Sequence, residues 1–423
     1  MKAAVIALAV GTMLTVEQRD ASRSNVDPPS AAISADGRFV AFTTYSRLVP
    51  ADTNDWSDVY VLDRARHDVT MESGDTNGYI GDSRRPAISG DGRYVAFERA
   101  SAVVLRDRSG GVTRIISDGA QPFITENGRI LLFIAGSVDS VTGIDANGER
   151  SDIYLLEPGS GHARRVSVDL IGLDPSIAVS VHPSASSDGR YVAFTSRMQA
   201  DGRLAQAPKV FLRDTELNAT RFVGAGWDPS LSGDGRFLAF VGLSNRLSHI
   251  FLTDLQTGAT RIITNSVRRG LANGASVKPK VSSDGRFVAF QSEASDLVAA
   301  EDVNLLWDVF VFDRTTGTMT RVSGDAAEVW MEPSGGPSID ERGSVVAFSS
   351  RHPTDASDKR NDFDLFVATD LNTETRRHGA SQRIRPLGFG DLFTWRFRSQ
   401  RLDLMAVHDP IDPGHKYRDM KVN

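Results

Sequence analysis

Residues 282–290 read SSDGRFVAF, and the phrase returns as SADGRFVAF at 34, SGDGRYVAF at 89, SSDGRYVAF at 186 and SGDGRFLAF at 232. Aligned on the final phenylalanine, a proline stands eleven positions earlier in seven places, from Pro86 with Phe97 to Pro386 with Phe397. Recurrence at this scale marks a solenoid, a propeller or an array, and it outranks any local reading of secondary structure. Within a unit, Pro-x-x-Ser opens a short strand, Asp-Gly turns the chain, and RFVAF reads as a strand covered on both faces. A third strand follows after a variable loop, as in DVYVLD from 58, DIYLLE from 152, IFLTD from 250 and DVFVFD from 308. A polar turn leads to a fourth, ATRII from 259 or MTRVS from 319. Four antiparallel strands per unit make one blade, so the fold expected is an all-β propeller.

The phrase P-x-x-S-x-D-G-x-x-[IV]-A-F, followed by [DN]-[IV]-[YF]-[VL]-x-D, resembles the WD40-like (PD40) repeat of TolB-type β-propellers. The resemblance covers about residues 28–376 and is specific for fold. It implies a propeller but no single activity, since that group includes a periplasmic scaffold protein and propellers attached to serine peptidases. Seven units are clear. RPLGFGDLFTWRF from 385 keeps Pro386, Asp391 and Phe397 in register, so residues 385–422 read as a degenerate eighth blade. The alternative is a seven-bladed ring with an appended tail, closed by a strand from MLTVEQ at 13–18.

Composition bounds the function. The 423 residues, 40% hydrophobic and 24% charged, suit an ordinary globular protein with a sizeable core. A net charge of -6 with no basic stripe argues against nucleic acid. The absence of cysteine excludes disulfides, thiolate metal sites and a cysteine nucleophile. Lys2 followed by an apolar run gives residues 1–24 the form of a leader or, alternatively, of a strand paired into the fold. Residues 25–423 then form a single propeller domain, expected to be a monomer without a transmembrane segment. The export signal would place it in the periplasm or outside the cell, with the cytoplasm as the alternative.

Antiparallel connectivity puts every Asp-Gly turn and every third-to-fourth turn on one face of the disc. The arginine after each Asp-Gly turn therefore lies beside the acid that closes strand three. The pairs expected are Arg38 with Asp63, Arg93 with Asp107, Arg129 with Glu157, Arg190 with Asp214, Arg236 with Asp254, and Arg286 with Asp313. Six copies of one pair point to construction rather than chemistry. Function belongs on the other face, where loop length and composition vary.

Two candidate sites follow. The residue before each proline enters the innermost strand at the channel mouth, giving a ring of Ser30, Arg85, Gln121, His182, Asp228, Lys278, Gly336 and Arg385. Such a ring either holds an anionic ligand or is merely hydrated. The second-to-third loops carry oxygen side chains at close spacing: Asp52, Asn54 and Asp58; Asp145, Asn147 and Asp152; Asp302, Asn304 and Asp308. These would suit Ca²⁺, or they bond their own backbone to shape the loops. No G-x-S-x-G elbow, H-E-x-x-H, Walker loop or Rossmann fingerprint is present, and no catalytic residue is assigned. The first expectation is a non-catalytic propeller that binds a protein, peptide or glycan without a cofactor. The alternative is a lyase or hydrolase acting on an anionic polysaccharide, with His182 as its base.

Overall fold

A computed structural model describes residues 16–17, 31–74, 81–136, 150–158, 163–170, 178–200, 203–204, 207–299, 305–323, 334–351 and 364–369. In each repeat the quoted phrase is a hydrogen-bonded corner. The Ser282 hydroxyl donates to Asp284 at 2.6 Å and accepts from the Phe287 amide at 2.9 Å, while the Arg286 amide donates to Asp284 at 2.9 Å. Gly285, at φ 67°, completes the turn with positive φ. The serine and aspartate thus meet backbone groups that a tight corner would otherwise leave unbonded.

Each corner joins two strands of a four-stranded antiparallel sheet. Blade 6 is typical: Ser276–Val281, Phe287–Ser292, Asp308–Asp313 and Thr318–Arg321, ordered from axis to rim. The strands that lie within 32–71, 83–118, 120–165, 178–225 and 227–262 build blades 1 to 5 in the same way. The second and third strands are buried throughout blade 6, and the Phe290 and Phe310 rings stack at 5.9 Å. Strands covered on both faces explain why RFVAF and DVFVFD are nearly continuous apolar runs.

Blade 7 departs from the pattern. Its chain supplies Ser334–Ile339, Val346–Ser350 and Asp364–Ala368, and Val16–Glu17 from the N-terminus pairs antiparallel with the last of these. Blade 7 then meets blade 1 directly. Val345, Ala347, Leu365 and Val367 share one buried cluster with Ala31, Val40, Phe42, Tyr60 and Leu62.

The described ring therefore has seven blades, which corrects the expectation of eight. An eighth would have to stand between blades 7 and 1, and that space is filled by their shared core. The tail at 385–422, expected as a degenerate eighth blade, lies outside the described residues. The strand from MLTVEQ takes the closing position expected of a seven-bladed ring. Among the described residues no helix is long and apolar enough to cross a membrane.

The axis is tied off on the corner face. The residue after each corner serine reaches the next blade: the Ala35 amide donates to Gly90 at 3.0 Å, Gly90 to Glu126 at 2.8 Å, and Ser187 to Gly233 at 2.9 Å. The belt continues from Asp234 to Ser283 and from Asp284 to Glu341, and the Glu341 amide returns to Ala35 at 3.0 Å. Between blades 3 and 4 the Ser187 hydroxyl bonds Glu126, which also accepts from Ser283 at 2.8 Å. Blades 3 and 6 are not neighbours, so this last contact crosses the axis. A Cβ on Gly90 would lie 2.8 Å from the Glu126 carbonyl oxygen, which shows how little space is left there.

Candidate functional site at the open end of the channel

With the corner face drawn together, the channel opens toward the long loops. The innermost strands run from that mouth to the corner belt. Five residues separate a ring position such as Arg85 from its belt position, Gly90, giving a depth of roughly 16 Å at the usual rise of a strand.

The ring residues share an unusual backbone. Arg85, Gln121, His182, Asp228 and Lys278 have φ between 49° and 55°, and Gly336 has φ 64°. In each strand the register slips at this point, as between Val181 and Ser184 or Val277 and Lys280. Each ring position is therefore a β-bulge held in the left-handed region, although a residue before proline ordinarily prefers an extended backbone. Bulges aim side chains out of the pleat, and their repetition presents one residue per blade at the same height.

The neighbouring blades hold these bulges in place. Glu98 of blade 2 accepts from Arg85 at 3.1 Å and from the Gln121 amide at 2.7 Å, and the Gln121 side chain accepts from the His182 amide at 2.7 Å. A chain of hydrogen bonds thus runs from Arg85 through blade 3 to His182 in blade 4. The Asp228 amide donates to Thr195 at 3.0 Å and that of Gly336 to Gln291 at 2.9 Å. Glu98, Thr195 and Gln291 all follow the strand-two phenylalanine, a position filled by Ile134 in blade 3 and Val241 in blade 5.

His182 stands at the centre of this set. Burial pushes its imidazole below the usual histidine range; the Asp228 charge opposes that shift, and Lys280, Arg85 and Arg197 reinforce it. Its Nδ1 is buried without a hydrogen-bond partner among the described residues, and so is Nε of Arg197. The site therefore combines one imidazole, two guanidinium groups and one ammonium with the carboxylates of Asp228 and Glu98. Its unfilled hydrogen-bonding capacity lies on the cationic side. Such a set can receive an anionic group, since a buried guanidinium edge without a partner is best satisfied by a carboxylate or similar oxyanion.

Of the expected ring, the structure brings Arg85, His182 and Asp228 into one electrostatic group, and Gln121 serves as the link between blades. Lys278 occupies its bulge, but it is Lys280, two residues on, whose charge acts on His182. Ser30 and Arg385 lie outside the described residues. Sequence reasoning missed Lys280, Arg197 and Glu98. A signal existed for Glu98, the polar residue that follows VAF where a buried strand would ordinarily continue apolar.

The acidic loops take a different form. Asp52 accepts from the Tyr60 hydroxyl at 2.5 Å and the Asn54 amide at 3.2 Å, and Asp58 accepts from Asn54 at 2.9 Å and Ser73 at 2.6 Å. Arg99 of the next blade approaches Asp58 at 3.3 Å. Asp152 is met by Ser167 at 2.6 Å and Arg165 at 3.1 Å, and Asp308 by Ser323 at 2.6 Å. Asp58, Asp152 and Asp308 begin strand three and clasp the end of strand four, while Asp52 holds Tyr60 of strand three. Blade 5 uses His249 and Thr264 for the same clasp, at 3.0 Å. Asp145, Asn147, Asp302 and Asn304 lie outside the described residues. Among the described residues no three His, Asp or Glu side chains are grouped as a metal site would need.

On the corner face, five of the six expected arginine–acid pairs form, from Arg38–Asp63 at 2.6 Å to Arg286–Asp313 at 2.8 Å. A cleft of about 390 Å³ opens there between blades 1 and 2. Three of its arginines are already engaged, Arg38 with Asp63, Arg93 with Asp107 and Arg108 with Glu72. The hydrogen bond from Arg93 holds the Asp107 carboxyl far below the usual carboxylate range. On that face the five corner arginines are paired with acids, whereas His182 Nδ1 and Arg197 Nε at the channel mouth have no hydrogen-bond partner among the described residues.

No protein-family model matches this chain, and no curated protein matches it in sequence. Solved structures share its fold. An oligogalacturonate lyase from Vibrio parahaemolyticus aligns with a TM-score of 0.53 at 13% identity, covering 87% of this chain and 98% of that one. The β-propeller domain of the Trilobed protease from Pyrococcus furiosus, described as having an open velcro topology, gives 0.52 at 12% identity over 81% and 94% of the two chains. A putative TolB from Agrobacterium tumefaciens gives 0.41 at 17% identity over 72% and 95%. At these identities the likeness is one of fold.

Proposed function

We propose that this propeller is a binding protein that grips an anionic group of a protein, peptide or glycan at the channel mouth on its long-loop face. The observation that carries the reading is that His182 Nδ1 and Arg197 Nε are buried without hydrogen-bond partners among the described residues, where the charges of Asp228, Lys280 and Arg85 also act on His182, on the face opposite the hydrogen-bonded corner belt. No step of this reading needs a cofactor. The Lys2-led apolar run supports a place in the periplasm or outside the cell. The pairing of Val16–Glu17 with blade 7 supports the cytoplasmic alternative, because cleavage of a leader after residue 24 would remove the closing strand.

A second reading, a lyase or hydrolase acting on an anionic polysaccharide, is favoured by one feature. Burial favours the neutral form of His182, the state a general base needs, and Lys280, Arg85 and Arg197 act on it as cations that would hold a uronate carboxylate. The shared fold leaves this choice to the site. One experiment separates the two readings: oligogalacturonate is titrated into wild type and into Arg197→Ala and His182→Ala, with binding and chain cleavage both recorded. Binding without cleavage, weakened in both variants, is expected. Cleavage that His182→Ala abolishes would establish the enzyme instead, and equal binding by all three proteins would remove the channel mouth as the site.

A further inference from the structure

Beside the channel mouth, the long loops of blades 5 and 6 expose aliphatic side chains to water: Leu243 at 66%, Val267 at 54%, Leu305 at 68% and Leu306 at 37%. Leu243 is the penultimate residue of strand two of blade 5, and Ser244 separates it from a tight turn at Asn245–Arg246. Val267 lies in the link from blade 5 to blade 6, and its amide donates to Asp296 of blade 6 at 2.9 Å. Leu305 and Leu306 close the second-to-third loop of that same blade. Arg246, Arg268 and Arg269 are exposed on these loops, and none forms an ion pair among the described residues.

The loops hold this display at a conformational cost. Arg246, Arg269 and Leu305 have φ of 69°, 81° and 53°, a region that side-chain-bearing residues adopt unwillingly. The link is fastened nonetheless: the Ser266 amide donates to Gly270, the Asn273 amide to Asp296 at 3.0 Å, and the Asn273 side chain to Ser295 at 2.9 Å. A fixed loop that presents leucine and arginine outward is organised for contact rather than for its own packing.

We propose that the long-loop face of blades 5 and 6 docks a polypeptide segment that carries carboxylates among apolar side chains. This deepens the binding reading above, on which it rests, by naming a polypeptide as the occupant of these loops. Aliphatic side chains gain by covering apolar surface and offer nothing to sugar hydroxyls, whereas arginines that form no ion pair among the described residues select carboxylates. An anionic bilayer is a poorer match, because a flat extended surface meets the whole molecule, whose net charge is -6, whereas a short segment meets only these loops.

The test uses the full chain and a fluorescent peptide of leucine and glutamate in amphipathic order, with a glutamine-for-glutamate control, read by anisotropy. Arg246→Glu/Arg268→Glu/Arg269→Glu and Leu243→Ser/Leu305→Ser should each bind about tenfold more weakly than wild type. Their melting temperatures should not change, since every altered side chain is exposed. Binding that both surface variants retain, or a glutamine control that binds equally well, would overturn the proposal. If only His182→Ala/Arg197→Ala loses the peptide, the channel reading stands and this surface falls. Phosphatidylserine vesicles serve as a second probe: binding to them in place of the peptide, lost in the same surface variants, also overturns it.

Discussion

At the scale of single residues, His182 links the site to pH. Its folded pKa is depressed, so the unfolded chain takes up the proton first, near the ordinary value of about 6.5. The stability contributed by neutral His182 is therefore complete above that value and is lost as pH falls through the folded pKa. Ligand binding has the opposite sign. An anion beside the imidazole favours its protonated form and offsets the charges of Lys280, Arg85 and Arg197. Affinity for an anionic probe should thus rise several-fold as pH is lowered from about 7.5 to 5.5. Calorimetry in two buffers of different ionisation enthalpy should show proton uptake on binding, and His182→Gln should abolish both effects. A flat pH profile in the wild type would detach His182 from the ligand.

At the scale of the element, the Asp-Gly corner and the polar turn beyond it differ in a measurable way. Gly285 and Gly317 have nearly the same backbone, φ 67° and 73°. A Cβ at Gly285 would meet the Phe237 ring at 2.2 Å, while at Gly317 it would meet nothing within 4 Å. Gly317→Ala should cost about 1 kcal/mol from conformation alone, and Gly285→Ala at least about 2 kcal/mol more from overlap with the adjacent blade. Urea denaturation of the two variants checks this, and equal losses would mean that the corner does not pack between blades as described. The same element shows what a sequence can convey. Ser282, Asp284, Gly285 and Arg286 make their bonds within one hairpin and its neighbouring strand, so the corner and its ion pair with Asp313 were legible. The left-handed bulge at Lys278 was not, because proline at 279 predicts an extended neighbour and only pairing with Phe287–Ser292 reveals the slip.

At the scale of the whole molecule, contacts between distant parts of the chain decide both the blade count and the site. Blade 7 takes its outer strand from Val16–Glu17, nearly the full chain length away, and no repeat marks those residues. Periodicity alone therefore carried the count on into RPLGFGDLFTWRF. The channel group was half legible for a related reason. Register with proline identified Arg85, His182 and Asp228, but Arg197 reaches the same space through its strand's pairing with the His182 strand in blade 4, and Lys280 comes from blade 6. Blade number also fixes the composition of the mouth, since an eighth blade would add Arg385 to it and widen the channel around His182. The most direct test is the thermal melting and anion affinity of two truncated chains, one ending at residue 380 and one beginning at residue 25. The seven-bladed account predicts that the chain ending at 380 melts as a monomer near the full-length temperature and binds the same anionic probe equally well. It predicts that the chain beginning at 25, deprived of its closing strand, melts lower or self-associates through the exposed edge of blade 7. A chain ending at 380 that aggregates or unfolds, beside a stable chain beginning at 25, would contradict it.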